Sequence, residues 1–161
     1  MPLYFLRHGD AVESPHFHDT QRPLSEAGKR QIQTVARFLR GSRHELDLIL
    51  SSPLVRARDT AEIIRDALNL PAVITTDTLT AGASVRELLG FINGQRSHAL
   101  LLVGHEPQLS SAISVLTGGD DHFRVEMRKA SLARVETEFP VKKGHAVLSW
   151  LVTVAQMEFL R

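Results

Sequence analysis

Residues 98–105, HALLLVGH, form an apolar run that stops at a glycine and a histidine. A strand that is apolar on both faces belongs in the middle of a sheet covered from both sides, as in parallel α/β proteins. Outward from this run the same pattern repeats. Downstream, Pro107 opens a helix to about Leu116, and Gly118-Gly119 stops it. Upstream, Leu3–Leu6 and LDLILSS (46–52) read as strands, and AVITT (72–76) as a shorter one. Ser25 is a candidate N-cap for a helix in which Ile32, Val35, Ala36 and Leu39 recur at helical spacing up to Gly41. Pro53 falls in the first turn of another helix, whose apolar face is Leu54, Ala57, Ala61, Ile64 and Leu68. Val85–Ile92 predicts a short third helix. The segment AVESPHFHDTQRPLS (11–25) is polar, carries two prolines and reads as a long loop.

The pattern changes near the end of the chain. ASLARVETEF (130–139) and AVLSWLVTV (146–154) alternate like strands, and the loop around Pro140–Gly144 is too short for a crossover. That pair is expected to be antiparallel. Strands alternating with helices, followed by a hairpin, predict a single α/β domain over residues 1–161 with a mostly parallel sheet between helical layers.

Composition narrows the function. The chain has 161 residues, 43% hydrophobic and 23% charged, which is ordinary for a globular domain. Its net charge of +1 gives no electrostatic case for nucleic acid or an anionic membrane. It has no cysteine, so disulfides, thiolate metal sites and cysteine nucleophiles are excluded. The amino terminus is charged too early for a signal peptide, and no apolar stretch reaches membrane-spanning length. A cytoplasmic location is expected, as is a monomer, since no exposed apolar repeat is visible.

In open α/β sheets, ligands bind outside the carboxyl ends of the strands. Three strands deliver chemistry there. The first ends in Arg7-His8-Gly9, the second in SSPLVRARDT (51–60) with Ser51, Ser52 and Arg56, and the run at 98–105 in His105. Two histidines and two arginines therefore converge, and helix N-termini after Ser52 and His105 add partial positive charge. This set suits phosphoryl transfer. Guanidinium groups can hold the equatorial oxygens, and a neutral imidazole can attack phosphorus to form a covalent intermediate. Gly9 would let the backbone approach a phosphate and offer it an N–H. Because arginines supply the positive charge, no metal or other cofactor is expected.

Several of these residues also have plainer readings. Arg56 alone could be a solvated helix residue paired with Asp59 or Glu62, and Arg58 lies on another side of that helix. His105 alone could be structural. His16 and His18 belong to a solvated loop with no companion ligand. Ser51 lacks a Gly-x-Ser-x-Gly elbow and reads as lining its turn.

LRHGDA (6–11), RPLSEAG (22–28), SSPLVRARDTAEII (51–64) and LLVGHEP (101–107) stand in the order of the histidine phosphatase superfamily, the phosphoglycerate mutase-like proteins. The chain resembles that superfamily, and its short length with DTQRPLSEAGKRQ (19–31) resembles the small SixA-type phosphohistidine phosphatases. The resemblance implies a three-layer α/β/α sandwich with a mixed, mainly parallel sheet. It also implies His8 as nucleophile, Arg7 and Arg56 as phosphate-binding arginines, His105 as the second histidine, and Arg22 near the pocket mouth.

One stretch departs from the wider superfamily. Mutases and many phosphomonoesterases carry a glutamate after the third strand to protonate an alkoxide leaving group. Here that region is TTDTLTAGASVRE (75–87), with Thr78 near the position and Asp77 beside it. An imidazole leaving group has a pKa near physiological pH and can depart already protonated. The expected substrate is therefore phosphohistidine on a partner protein, such as a phosphotransfer domain. A small-molecule phosphomonoesterase and a non-catalytic phosphohistidine-binding module are the alternatives. A mutase is disfavoured by chain length and the missing glutamate.

Overall fold

The computed structural model describes residues 1–42 and 46–160. Six strands form one sheet: β1 (Pro2–Arg7), β2 (Leu48–Ser51), β3 (Val73–Thr75), β4 (Leu100–Gly104), β5 (Leu132–Thr137) and β6 (Ala146–Val152), in the order β3-β2-β4-β1-β5-β6. β3, β2, β4 and β1 run parallel, and β5 and β6 complete the sheet antiparallel, so the sheet is mixed and mainly parallel.

The unbroken apolar run of β4 has a direct structural reason. Leu101 and Val103 join Tyr4, Leu6 and Ile49 on one face of the sheet. Leu100 and Leu102 join Leu3, Phe5 and Leu50 on the other. Each face is covered by helices, so neither set of alternating side chains can be polar. The first face packs against α1 (Glu26–Gly41), α2 (Val55–Leu68) and α5 (Val154–Phe159), through Ile32, Val35, Leu39, Ala57, Ala61, Ile64 and Met157. The second packs against α3 (Val85–Asn93) and α4 (Gln108–Gly118), through Leu88, Ile92, Leu109, Ile113 and Leu116. The result is a three-layer sandwich.

The helix limits follow local chemistry. Ser25 accepts the Gly28 N–H and caps α1, as its position predicts. Gly119 takes the left-handed conformation that ends α4, with φ of 87°. Pro53 differs from expectation: α2 starts at Val55 with Leu54 as N-cap, so Pro53 precedes the helix rather than lying in its first turn. A helix over 154–159 was not expected. Its capping box, Thr153 with Gln156, follows directly on β6, where strand alternation masks it. No helix among the described residues is long and apolar enough to cross a membrane.

Candidate active site

His8 stands immediately past the end of β1. Its N–H donates to the Gly104 carbonyl of β4 at 3.2 Å, and the Arg7 N–H donates to the Ser131 carbonyl at 3.2 Å. Both neighbouring strands therefore hold this backbone. The side chain is 7% exposed. Its Nδ1 lies 2.7 Å from the Gly9 carbonyl oxygen. A carbonyl only accepts, so Nδ1 carries the proton and Nε2 holds the free electron pair. Arg56 Nε donates to Nε2 at 3.3 Å. Burial foremost, then the charge near His105, Arg56 and Arg7, lowers the His8 pKa to about 3, against the Gly9 bond that raises it. The ring is neutral at physiological pH, with its reactive nitrogen unprotonated.

His105 follows β4 and is 3% exposed. Its ring lies 4.9 Å from that of His8, centroid to centroid, tilted by 55°. Its Nε2 shares a 2.8 Å hydrogen bond with Ser52 Oγ. Ser52 is placed for this by its N–H, which donates to the Val103 carbonyl at 2.9 Å, while its hydroxyl also accepts from the Leu54 N–H at 3.3 Å. Burial, with Arg56 and Arg7, lowers the His105 pKa to about 4, so this ring is neutral too.

The two arginines are fixed differently. Arg7 donates from Nη1 to the Met127 carbonyl at 2.9 Å, while its buried Nε has no acceptor among the described residues. Arg56, 7% exposed on the first turn of α2, bonds neither Asp59 nor Glu62. It reaches His8 and, from Nη1 and Nη2, the carbonyl oxygen and carboxylate of Asp19 at 2.6 and 3.2 Å. Asp59 instead accepts the Leu24 N–H at 3.1 Å. Arg22 does not touch His8; it bonds Asp19 Oδ1 through Nε at 3.1 Å and Nη2 at 2.7 Å. Asp19 is thus a part of the site that sequence reasoning passed over, one of many polar residues in a long loop.

Gly9 serves another purpose than expected. Its N–H donates to Thr60 Oγ1 at 3.2 Å, so it is not offered to a ligand. A Cβ there would lie 2.9 Å from the Gly28 carbonyl oxygen and 3.1 Å from Ile32 Cγ1. The glycine is required by the packing of α1 against this turn.

The loop after β3 turns hydroxyls inward. Thr76 is buried and its Oγ1 lies 2.9 Å from Thr78 Oγ1, whereas Asp77 is exposed. Gln108, at the start of α4, holds the Thr78 carbonyl through Nε2. Other carboxylates nearby are engaged. Glu106 accepts the Ser110 N–H at 3.0 Å. Asp10 pairs with Lys129 at 2.5 Å and with the Ser25 hydroxyl at 3.0 Å. Beside Arg7 and Glu106 lies an open groove of about 840 Å³ lined by the 121–127 loop. Among the described residues, no three His, Asp or Glu side chains gather as a metal site.

With this geometry, comparison with known proteins is decisive. The family pattern described as Histidine phosphatase superfamily (branch 1) matches residues 3–80. The chain belongs to the histidine phosphatase superfamily. It is 29% identical over 124 residues to the phosphohistidine phosphatase SixA of Escherichia coli K12, covering 74% of this chain and 76% of that one. It is 32% identical over 136 residues to an uncharacterized protein of Picosynechococcus, covering 82% of each. The structure of a protein histidine phosphatase SixA complexed with tungstate superposes with a TM-score of 0.88 at 24% identity, over 98% of this chain and 99% of that one. The superposition identifies the fold of this superfamily member as phosphoglycerate mutase-like.

Proposed function

We propose that this chain hydrolyses phosphohistidine on a partner protein, with His8 as the nucleophile. One observation carries the reading: a buried, unprotonated Nε2 of His8 faces Arg56 Nε, and the buried Nε of the adjacent residue, Arg7, has no acceptor among the described residues. An electron pair next to cationic donors suits attack on a tetrahedral oxyanion. The tungstate held by the SixA relative is an oxyanion of that shape.

In the first step, His8 Nε2 bonds to phosphorus as the phosphorus–nitrogen bond of the substrate breaks. The substrate ring, protonated on its other nitrogen, leaves as a neutral imidazole. Arg7, Arg56 and His105 stabilise the charge that spreads over the equatorial oxygens. Water then attacks phospho-His8, releasing inorganic phosphate and returning Nε2 to its free state.

The substrate class rests on the state of the carboxylates. Asp10 and Glu106 are hydrogen-bonded elsewhere, Asp19 is held as an anion by arginines, and Asp77 is exposed. None is a buried carboxyl group of the kind that serves an alkoxide as acid. A leaving imidazole has no such need, and the similarity to SixA points the same way. The open groove beside Arg7 gives a protein substrate access.

The test is phosphate release from a chemically phosphorylated histidine phosphotransfer domain, run beside a panel of sugar and nucleotide monophosphates. The phosphoprotein is the expected substrate, and His8→Ala is expected to abolish release. A strong preference for any phosphate ester would replace this reading with a small-molecule phosphomonoesterase. Tight phosphate binding without turnover would replace it with a binding module.

A further inference from the structure

We propose that Asp19 is a positioning residue, which grips the outer edge of Arg56 so that its inner edge faces the phosphoryl group on His8. This inference rests on the reading of the pocket as a phosphoryl site. It starts from how the loop is brought back. The excursion after Ala11 is closed at its base by the Ala11–Leu24 bridge and by the Val12 N–H on the Pro23 carbonyl at 2.9 Å. At the far end of this loop, a 3-10 turn (Asp19–Gln21) places Asp19 over α2.

A guanidinium is planar and offers two paired edges. The end edge carries Nη1 and Nη2, and the side edge carries Nε and the second hydrogen of Nη2. Asp19 takes the end edge from both sides of its own residue: the carbonyl oxygen accepts from Nη1 at 2.6 Å and Oδ2 accepts from Nη2 at 3.2 Å. The side edge is left facing His8, where Nε lies 3.3 Å from Nε2. A phosphoryl group on Nε2 takes the place of the Nε–H···Nε2 bond, so this side edge shifts from the ring nitrogen to the phosphoryl oxygens while Asp19 keeps the end edge. Asp19 is therefore no internal competitor for the anion.

The other carboxylate oxygen is taken by Arg22, through two donors at 2.7 and 3.1 Å. Arg22, and then Arg56, keep the Asp19 carboxyl below the usual range, so it remains an anion. Arg22 thereby bears on Arg56 without reaching His8. It fixes the carboxylate that fixes Arg56.

The test uses the full chain with Asp19→Asn and Asp19→Ala, measured by turnover and by calorimetric binding of tungstate. Misplacing one guanidinium edge is expected to lower kcat about tenfold, with KM changed less than about threefold. Tungstate affinity is expected to fall by a similar factor, about tenfold. Asp19→Glu should recover part of both. In an Arg56→Lys background, which lacks the paired edges, Asp19→Ala should cost almost nothing more. Equal losses in the two backgrounds would overturn the proposal, because Asp19 would then act other than through Arg56. Tighter tungstate binding by Asp19→Asn would overturn it as well, by making the carboxylate a competitor. If the parent chain turns over no phosphoprotein, the proposed function fails, yet the tungstate measurements still decide the role of Asp19.

Discussion

Gly9 and Gly28 meet backbone to backbone. A Cβ on Gly9 would lie 2.9 Å from the Gly28 carbonyl oxygen, and a Cβ on Gly28 would lie 2.0 Å from the Asp10 carbonyl oxygen. The first turn of α1 is thereby set against the segment that carries His8. Two glycines in separate motifs, RHG and RPLSEAG, answer one steric demand.

Gly28→Ala should consequently be far more damaging than a typical glycine-to-alanine change in a helix, which ordinarily stabilises. Backbone, not a flexible side chain, blocks the new methyl. We expect a loss of about 3 kcal/mol or more in urea unfolding, with kcat reduced because the turn holding His8 must shift. Gly90→Ala is the control, since nothing lies within 4 Å of a Cβ there.

His8→Ala and Arg7→Lys should separate two roles. His8→Ala removes the proposed nucleophile and should leave no acid-labile phosphoenzyme to trap from labelled substrate. Arg7→Lys keeps the charge but loses the planar fork, including the Nε that has no acceptor among the described residues. A fall in kcat of about 10²–10³ is expected, comparable to losing one preorganised donor at a developing charge. Single-turnover kinetics would show it.

Acidification should destabilise the fold. The His8 and His105 pKa values, about 3 and about 4, lie below the unfolded value near 6.5. Below pH 6.5 the unfolded chain therefore binds more protons than the native one, and stability falls with falling pH until the folded pKa values are reached. The two rings together should cost roughly 3–4 kcal/mol between pH 7 and pH 5. Urea titrations at both pH values would measure it, and His105→Gln should remove about half of the dependence.

Ser52→Ala leaves the buried His105 ring without its hydroxyl partner. A destabilisation of about 1–3 kcal/mol is expected. Ser51→Ala is the comparison: its hydroxyl donates to the Ser52 carbonyl at 2.9 Å and does not touch the histidine. Urea unfolding of the two variants measures the difference, with the smaller loss expected for Ser51→Ala.

The sequence made some of this architecture readable and concealed the rest for physical reasons. β4 was recognisable because burial on both faces leaves an unbroken apolar run. Arg7, His8, Arg56 and His105 stood out because each lies at a strand end or in the helix turn after it. Asp19 did not. Its importance depends on a loop whose return places it against Arg56, and no local periodicity encodes that return. Gly9 was correctly singled out but for the wrong neighbour, since α1 rather than a ligand occupies the space beside it. Pro53 was misplaced and α5 passed over by short-range rules, where a half-turn before α2 and a strand running straight into a capping box leave little signal.

The 2.7 Å contact between His8 Nδ1 and the Gly9 carbonyl has one more consequence, and it is regiochemical. Free histidine can be phosphorylated on either ring nitrogen, giving two isomers of different lability. Here the main chain of the next residue occupies one nitrogen, leaving Nε2, with its electron pair facing only the Arg56 side chain, to take phosphorus. A phosphoenzyme formed in this pocket is the tele isomer, and a single ³¹P resonance would report a choice made by one peptide carbonyl.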